Sequence, residues 1–202
     1  GEWGAASNLG TPINNDHANG FLGISGDGTR AIVSGYYENG VLLKRGYSFT
    51  RLVAGQWTSP EGIDIKGYSE LVKGKSISAC LSEDAETIIF SISREADDSN
   101  QDLYVTTHTV GKDWSAPVAL AGLNTPDDDA CPFLASDRRT LYFSSTRSGG
   151  FGAYDVYMSR RLGDGWDAWS APVNLGPSIN TEHSELYYSI PASGRYAYFS
   201  SS

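Results

Sequence analysis

Tryptophan stands at positions 3, 57, 114 and 169, at intervals of 54, 57 and 55 residues. Each opens a related phrase: Trp3-Gly-Ala-Ala-Ser, Trp57-Thr-Ser-Pro, Trp114-Ser-Ala-Pro and Trp169-Ser-Ala-Pro. A polar phrase recurs at the same period, at Ser25-Gly-Asp-Gly, Ser82-Glu-Asp-Ala, Ala135-Ser-Asp-Arg and Pro191-Ala-Ser-Gly. Apolar strands then end at Val33, Phe90, Phe143 and Phe199. Asn8-Leu-Gly-Thr-Pro-Ile-Asn returns as Asn174-Leu-Gly-Pro-Ser-Ile-Asn. A chain that repeats at a fixed period folds as stacked copies of one supersecondary unit. The units are expected at about 1–54, 55–110, 111–162 and 163–202, the last incomplete.

Each unit reads as four strands, A to D. In the third, Cys131-Pro-Phe-Leu-Ala is a short apolar run, followed by polar turn residues and the β-rich Thr140-Leu-Tyr-Phe-Ser-Ser. A Gly-rich loop at Arg147-Ser-Gly-Gly-Phe-Gly leads to the alternating Tyr154-Asp-Val-Tyr-Met-Ser. The Pro-bearing Trp169 phrase closes a unit, and Pro in a strand marks an edge. No segment shows a helical apolar period of helical length. A lone meander of four short strands cannot bury both faces, so the units must stack. Antiparallel meanders of this size predict a β-propeller rather than a solenoid of parallel coils. The fold class is therefore all-β, a propeller segment of about three and a half blades. The order predicts a D strand over Trp3–Leu9, three complete units and a final A–B pair. This is fewer strands than the smallest ring needs, so either the ring is open or, as expected, the segment belongs to a larger ring of five or six blades.

The formal charge is −9, from 15 Lys+Arg against 24 Asp+Glu. No broad basic footprint for nucleic acid exists, and no apolar run approaches the ~18–20 residues of a membrane-spanning helix. The chain is expected not to span a membrane. Cys80 and Cys131 lack a CxxC spacing or a neighbouring His, which argues against zinc or redox chemistry. They are expected not to bond to each other, because their columns lie two residues out of register on neighbouring inner strands.

The phrases from Asp137-Arg-Arg-Thr-Leu-Tyr-Phe-Ser-Ser-Thr-Arg through Ala153-Tyr-Asp-Val-Tyr, with Trp169-Ser-Ala-Pro-Val-Asn-Leu-Gly, resemble the WD40-like, TolB-type propeller repeat. They are closest to the variant found in envelope proteins that also carry an OmpA-like peptidoglycan-binding domain. The likeness spans the chain. Unit two carries it in Phe90-Ser-Ile-Ser-Arg94 and Asp102-Leu-Tyr, whereas unit one holds Glu38 and Gly46 in the columns of Arg94 and Asp102. No unit keeps the family's Ser-Pro-Asp-Gly intact. The resemblance implies an extracytoplasmic location, periplasmic or outer-membrane-associated. It implies a scaffold that binds a protein or envelope ligand, as an accessory of envelope integrity or type IX secretion. The alternative is a carbohydrate-active or peptidase-associated propeller with its active site at the channel mouth. Fold alone does not choose between them.

Candidate chemistry is sparse. No Gly-x-Ser-x-Gly elbow is present, and no catalytic residue is assigned. Arg94 with Asp102, and Arg147 with Asp155, are eight apart across B–C hairpins and are expected to form structural ion pairs. Asp27, Asp84 and Asp137 read as A–B turn residues. Asp127, Asp128 and Asp129 form the densest acidic cluster, and calcium is the only cofactor considered there. No metal site is assigned, since three consecutive carboxylates cannot all point inward. His17 and His183 share a column, 14 residues after their tryptophans, and His108 is expected at the surface of a C strand. Tyr187 and Tyr188 suit either sugar stacking or the core. Strand alternation gathers the D–A and B–C loops on one face. That face is expected to bind a partner through Asp127, Asp128, Asp129, Phe151, His17, Glu182, His183 and Glu185, since loops on a rigid scaffold carry binding.

Overall fold

A computed structural model describes residues 4–17, 20–109 and 113–202. Four antiparallel sheets follow one another along the chain. The first holds β1 (Phe21–Ile24), β2 (Arg30–Glu38) and β3 (Val41–Val53), with β4 (Gln56–Trp57) and β5 (Glu61–Gly62) both pairing with β3. A one-turn helix, α1 (Tyr68–Leu71), is the sole helix among the described residues. The second sheet orders β6 (Ile77–Leu81), β7 (Thr87–Ser93), β8 (Gln101–Thr107) and β9 (Val118–Ala119). The third orders β10 (Asp129–Leu134), β11 (Thr140–Ser145), β12 (Asp155–Arg160) and β13 (Val173–Asn174). The fourth is a hairpin of β14 (Glu185–Ser189) and β15 (Tyr198–Ser201).

Sheets in such a stack are apolar on both faces, and β7 shows why the sequence permits it. All seven residues of Thr87-Ile-Ile-Phe-Ser-Ile-Ser are buried. Strand alternation sends successive side chains to opposite faces. Ile88, Phe90 and Ile92 therefore pack towards the first sheet, with Ile32, Tyr47, Tyr68 and Trp114. Ile89 packs towards the third, with Leu103, Leu141, Phe143, Tyr157 and Trp169. Phe90 meets Tyr47, Tyr68 and Tyr104 with ring centroids at 5.7, 5.6 and 6.2 Å. Each such buried ring contributes about 1.5–3 kcal/mol by burial, with about 0.5–1.5 kcal/mol more where ring geometry is favourable. The recurring tryptophans sit between sheets: Trp114 and Trp169 are both buried.

The four inner strands converge on an axial cavity of about 330 Å³. Its walls include Phe21 of β1, Cys80 of β6, Cys131 of β10 and Tyr187 of β14. Inner strands around a common axis make this a segment of a β-propeller. Bulges shape the wall. Cys131 and Tyr187, 56 positions apart, both adopt left-handed backbone (φ 50° and 57°) where the ladders to β11 and β15 slip. Tyr187 thereby turns out, 61% exposed, whereas Tyr188 is buried against Tyr142 and Phe199. Cys80 and Cys131 are free, buried thiols. Burial pushes the Cys80 thiol up to about 12.

Several local expectations are corrected. Of the D strand expected over Trp3–Leu9, Trp3 lies outside the described residues, and 4–10 are irregular because no described strand lies alongside them. The D strands that do form are short: β13 pairs only through Asn174 with Tyr157 and Val173 with Met158. Pro172 lacks an N–H and stays outside that ladder. In the first sheet β5 is that D strand, placed after Trp57 as β9 and β13 are placed after Trp114 and Trp169; β3 runs on to Val53 and pairs also with β4, and α1 lies in the D–A loop that follows. His108 follows β8 rather than lying within it, its ring 5.2 Å from that of Trp114. Among the described residues no helix is long and apolar enough to cross a membrane.

Candidate functional site

The D–A and B–C loops do share one face, and side-chain bonds tie them together. The D–A loop of 120–128 lies against the B–C loop of 146–154. Arg147 Nη2 meets Asp129 Oδ1 at 2.6 Å and also donates to the Leu123 carbonyl at 2.8 Å. Its guanidinium lies over Phe143 and Tyr157, at 5.0 and 4.9 Å from the ring centroids. The hydroxyl of Tyr154 donates to Asp128 Oδ2 at 2.9 Å, and the Gln101 N–H to Asp128 Oδ1 at 2.9 Å. The next D–A loop, 175–184, packs against the same B–C loop: the Ala153 N–H donates to the His183 carbonyl at 3.0 Å. Gly152 is required there, because a Cβ would collide with the carbonyls of Thr181 and His183.

The expected ion pair of Arg147 with Asp155 does not form. Asp155 instead accepts the N–H groups of Phe151 and Gly152, at 2.6 and 3.1 Å, and the Asn174 amide at 2.8 Å. Its carboxylate closes the Gly-rich loop, which leaves Arg147 to swing towards Asp129. Arg94 does meet Asp102, at 3.6 Å with Arg94 half exposed, a geometry that adds little to stability.

The acidic triplet divides into three environments. Asp127 is exposed, Asp128 half-buried and Asp129 fully buried. Asp129 Oδ2 accepts both the N–H and the hydroxyl of Thr125, at 2.7 and 2.9 Å. The carboxylates of Asp128 and Asp129 are thus engaged by protein donors. Glu185 repeats the arrangement one unit later, fully buried and bonded to the Thr181 N–H, the Thr181 hydroxyl and the Ser201 hydroxyl. Burial pushes its carboxyl up, but these hydrogen bonds outweigh it and hold the group below its ordinary value. Among the described residues no three His, Cys, Asp or Glu side chains group to hold a metal ion.

The outward side chains of this face are Asp127, Phe151, Glu182 and His183. Phe151 is 51% exposed at its loop tip. Glu182 and His183 are exposed and 4.0 Å apart. They adjoin Phe151 through the Gly152 contact. His17 stands exposed on the loop that enters the first sheet, three units from His183 along the chain, its N–H donating to Asn15 at 2.9 Å.

Sequence reasoning missed the residues that fix these loops. The side chain of Asn124 bonds both the N–H and the carbonyl of Leu103 in β8, at 2.8 and 3.0 Å. Asn180 does the same to Val156 in β12, at 2.8 and 3.0 Å. The shared spacing of Asn124-Thr125…Asp129 and Asn180-Thr181…Glu185 was the available signal.

No protein-family model matches the chain, and no curated protein matches it. Among solved structures it is similar to the putative TolB from Agrobacterium tumefaciens, with a TM-score of 0.56 and 19% identity over 90% of this chain and 53% of that one. It is also similar to TolB from Acinetobacter baumannii, with a TM-score of 0.51 and 16% identity over 91% of this chain and 43% of that one. The fold is therefore that of a TolB-like β-propeller, and the chain spans about half the length of these structures.

Proposed function

We propose that this chain is a non-catalytic, extracytoplasmic propeller segment that binds a protein or envelope ligand through the face of its D–A and B–C loops. One observation carries the reading. The inner acids Asp128, Asp129, Asp155 and Glu185 are all engaged in holding loops, while Asp127, Phe151, Glu182 and His183 project outward from those same fixed loops. An exposed apolar side chain on a pinned loop, sharing its face with acidic and polar ones, is the pattern of a binding anchor, not of proton-transfer chemistry. The TolB-like fold supports the reading at the level of architecture, and with the repeat phrases it supports a place in the periplasm or at the outer membrane. The finer assignment is an envelope-integrity or type IX secretion accessory of the OmpA-associated variant.

The test replaces only outward residues: Asp127→Asn, Phe151→Ala and Glu182→Gln together. Immobilised chain is exposed to an envelope extract of its source cells. A partner retained by the parent should be lost by the triple variant and kept when Ser136→Ala alters an A–B turn. If the triple variant retains the same partner and the opposite face loses it, the wrong face has been chosen.

A further inference from the structure

Four of the chain's 15 cationic side chains gather at one end of the third sheet, on the face opposite the acidic loops. Arg138 and Arg139 lie in the turn between β10 and β11, Arg160 ends β12, and Arg161 follows it. The ladder enforces the crowding: Thr140 is registered against Arg160, and the Arg161 N–H donates to the Arg139 carbonyl at 2.8 Å. Like charges opposed across antiparallel strands are destabilising. A chain of net charge −9 has ample carboxylates, yet it neutralises only part of this group. Arg138 is taken by Asp84 of the neighbouring sheet at 2.6 Å. Arg160 acts on Asp137, helping to hold that carboxyl below its ordinary value against burial.

Among the described residues, Arg139 and Arg161 are left with a single carboxylate between them. Arg139 Nη2 reaches Asp164 Oδ1 at 3.1 Å, and the Asp164 side chain is 98% exposed. The other contacts are long ones to carbonyls of the same loop, from Arg139 Nη1 to Gly163 and from Arg161 Nη1 to Asp164, each 3.4 Å. The Arg161 guanidinium is fixed over the Trp166 ring at 4.2 Å from its centroid, and its Nε is buried with no hydrogen-bond acceptor. A buried donor on a charged group is costly to leave unmet.

We propose that Arg139 and Arg161, converging on the Gly163-Asp164-Gly165 loop, form an oxyanion site for a phosphate group, which Asp164 occupies as a displaceable substitute. Two guanidinium forks match the geometry of a tetrahedral oxyanion. Their paired charge suits the ~−1.5 to −2 of a phosphate monoester better than the single charge of a carboxylate. The flanking glycines let Asp164 withdraw, and Trp166 reports on the occupied state.

The full chain is titrated at low ionic strength with inorganic phosphate, by calorimetry and by tryptophan emission. In parallel it is mixed with phosphatidylcholine vesicles with and without phosphatidic acid, whose headgroup is a phosphate monoester. Arg139→Gln and Arg161→Gln should each weaken binding about tenfold or more. Asp164→Asn, a change at an exposed position, should tighten it roughly two- to fivefold by removing the competitor. Arg51→Gln, distant in the first sheet, should leave it unchanged. Sensitivity in the phosphate arm identifies a free ion as the source, and sensitivity confined to the vesicle arm a lipid headgroup. Both outcomes support the site. Absence of binding in both arms, or binding that Arg139→Gln, Arg161→Gln and Asp164→Asn leave unchanged, overturns it.

Discussion

Two nearby aspartates, Asp127 and Asp129, should respond very differently to the same small change. Asp129→Asn keeps side-chain size and one acceptor for Thr125, but it removes the charge facing Arg147 at 2.6 Å. Asp129 is fully buried and the Arg147 side chain only 15% exposed. Removing one partner of a buried pair leaves the other charge unmatched, at about 3–5 kcal/mol. Here Arg147 keeps the Leu123 carbonyl, the Ser145 hydroxyl and two aromatic faces. That compensation and its slight exposure bring the expected loss to about 2–4 kcal/mol, or ~4–15 °C in Tm for a chain of this size. Asp127→Asn, exposed, should change stability by less than about 0.5 kcal/mol. Adding Arg147→Met to Asp129→Asn removes the stranded charge while filling the slot between Phe143 and Tyr157. The double variant should lose less than the sum of the single ones, with a coupling of about 1–3 kcal/mol. Urea denaturation of the four proteins measures the cycle. If Asp129→Asn proves as mild as Asp127→Asn, or the two losses simply add, the pair does not hold these loops together.

The carboxyls of Asp27, Asp84, Asp97, Asp98, Asp137 and Glu185 all sit below their ordinary values, Asp27 at about 2 through the Ser25 hydroxyl and Thr29. Depressed folded values mean stability that is full above the ordinary carboxyl range near ~4 and is lost as pH falls towards about 2. Melting curves should therefore be flat from neutral pH down to about 5 and then fall, with Asp102 opposing because burial raises its carboxyl. Native Cys80, with its thiol pushed up to about 12, should resist a water-soluble disulfide reagent at neutral pH, and denaturation without reductant should release two thiols. Zero thiols would contradict the structure. Asn180→Ala should lower stability by about 1–3 kcal/mol by stranding the N–H of Val156, whose carbonyl keeps the Leu175 N–H, and hydrogen exchange at Val156 should accelerate; unchanged protection there would count against the clasp.

The fold was legible because its determinants are local and repeated. The Trp period, the Asp-bearing A–B turns and the alternation of Thr87–Ser93 each reflect one strand or one turn. What stayed hidden depends on neighbours that sequence spacing does not rank. Arg147 and Asp155 are close in sequence, and hairpin reasoning pairs them. The backbone donors of the Gly-rich loop claim Asp155 first, and Asp129 arrives from the adjacent strand. The first sheet departs from the period only in degree: β3 runs on to Val53, so the pairing seen as a single bridge between Arg161 and Trp169 becomes the short strand β4, and its D–A loop carries α1. The face shared by the D–A and B–C loops could be drawn from topology alone. Which of its acids face solvent could not, because Asp127, Asp128 and Asp129 differ only in the partners that fold onto them.

The asparagine clasps imply that the seams of the sequence are the wrong places to cut. Asn124 precedes β10 of the third sheet, yet its side chain completes β8 of the second; Asn180 precedes β14, yet completes β12. A truncation at Trp114 would strip the second sheet of β9 and bare the main chain of Leu103 together. Circular permutants and inserted tags belong in the A–B turns near Asp84 and Asp137, whose side chains accept from their own turns, at the cost of the exposed Arg138–Asp84 bridge between them. Opened there, each clasp would stay within one continuous run of chain.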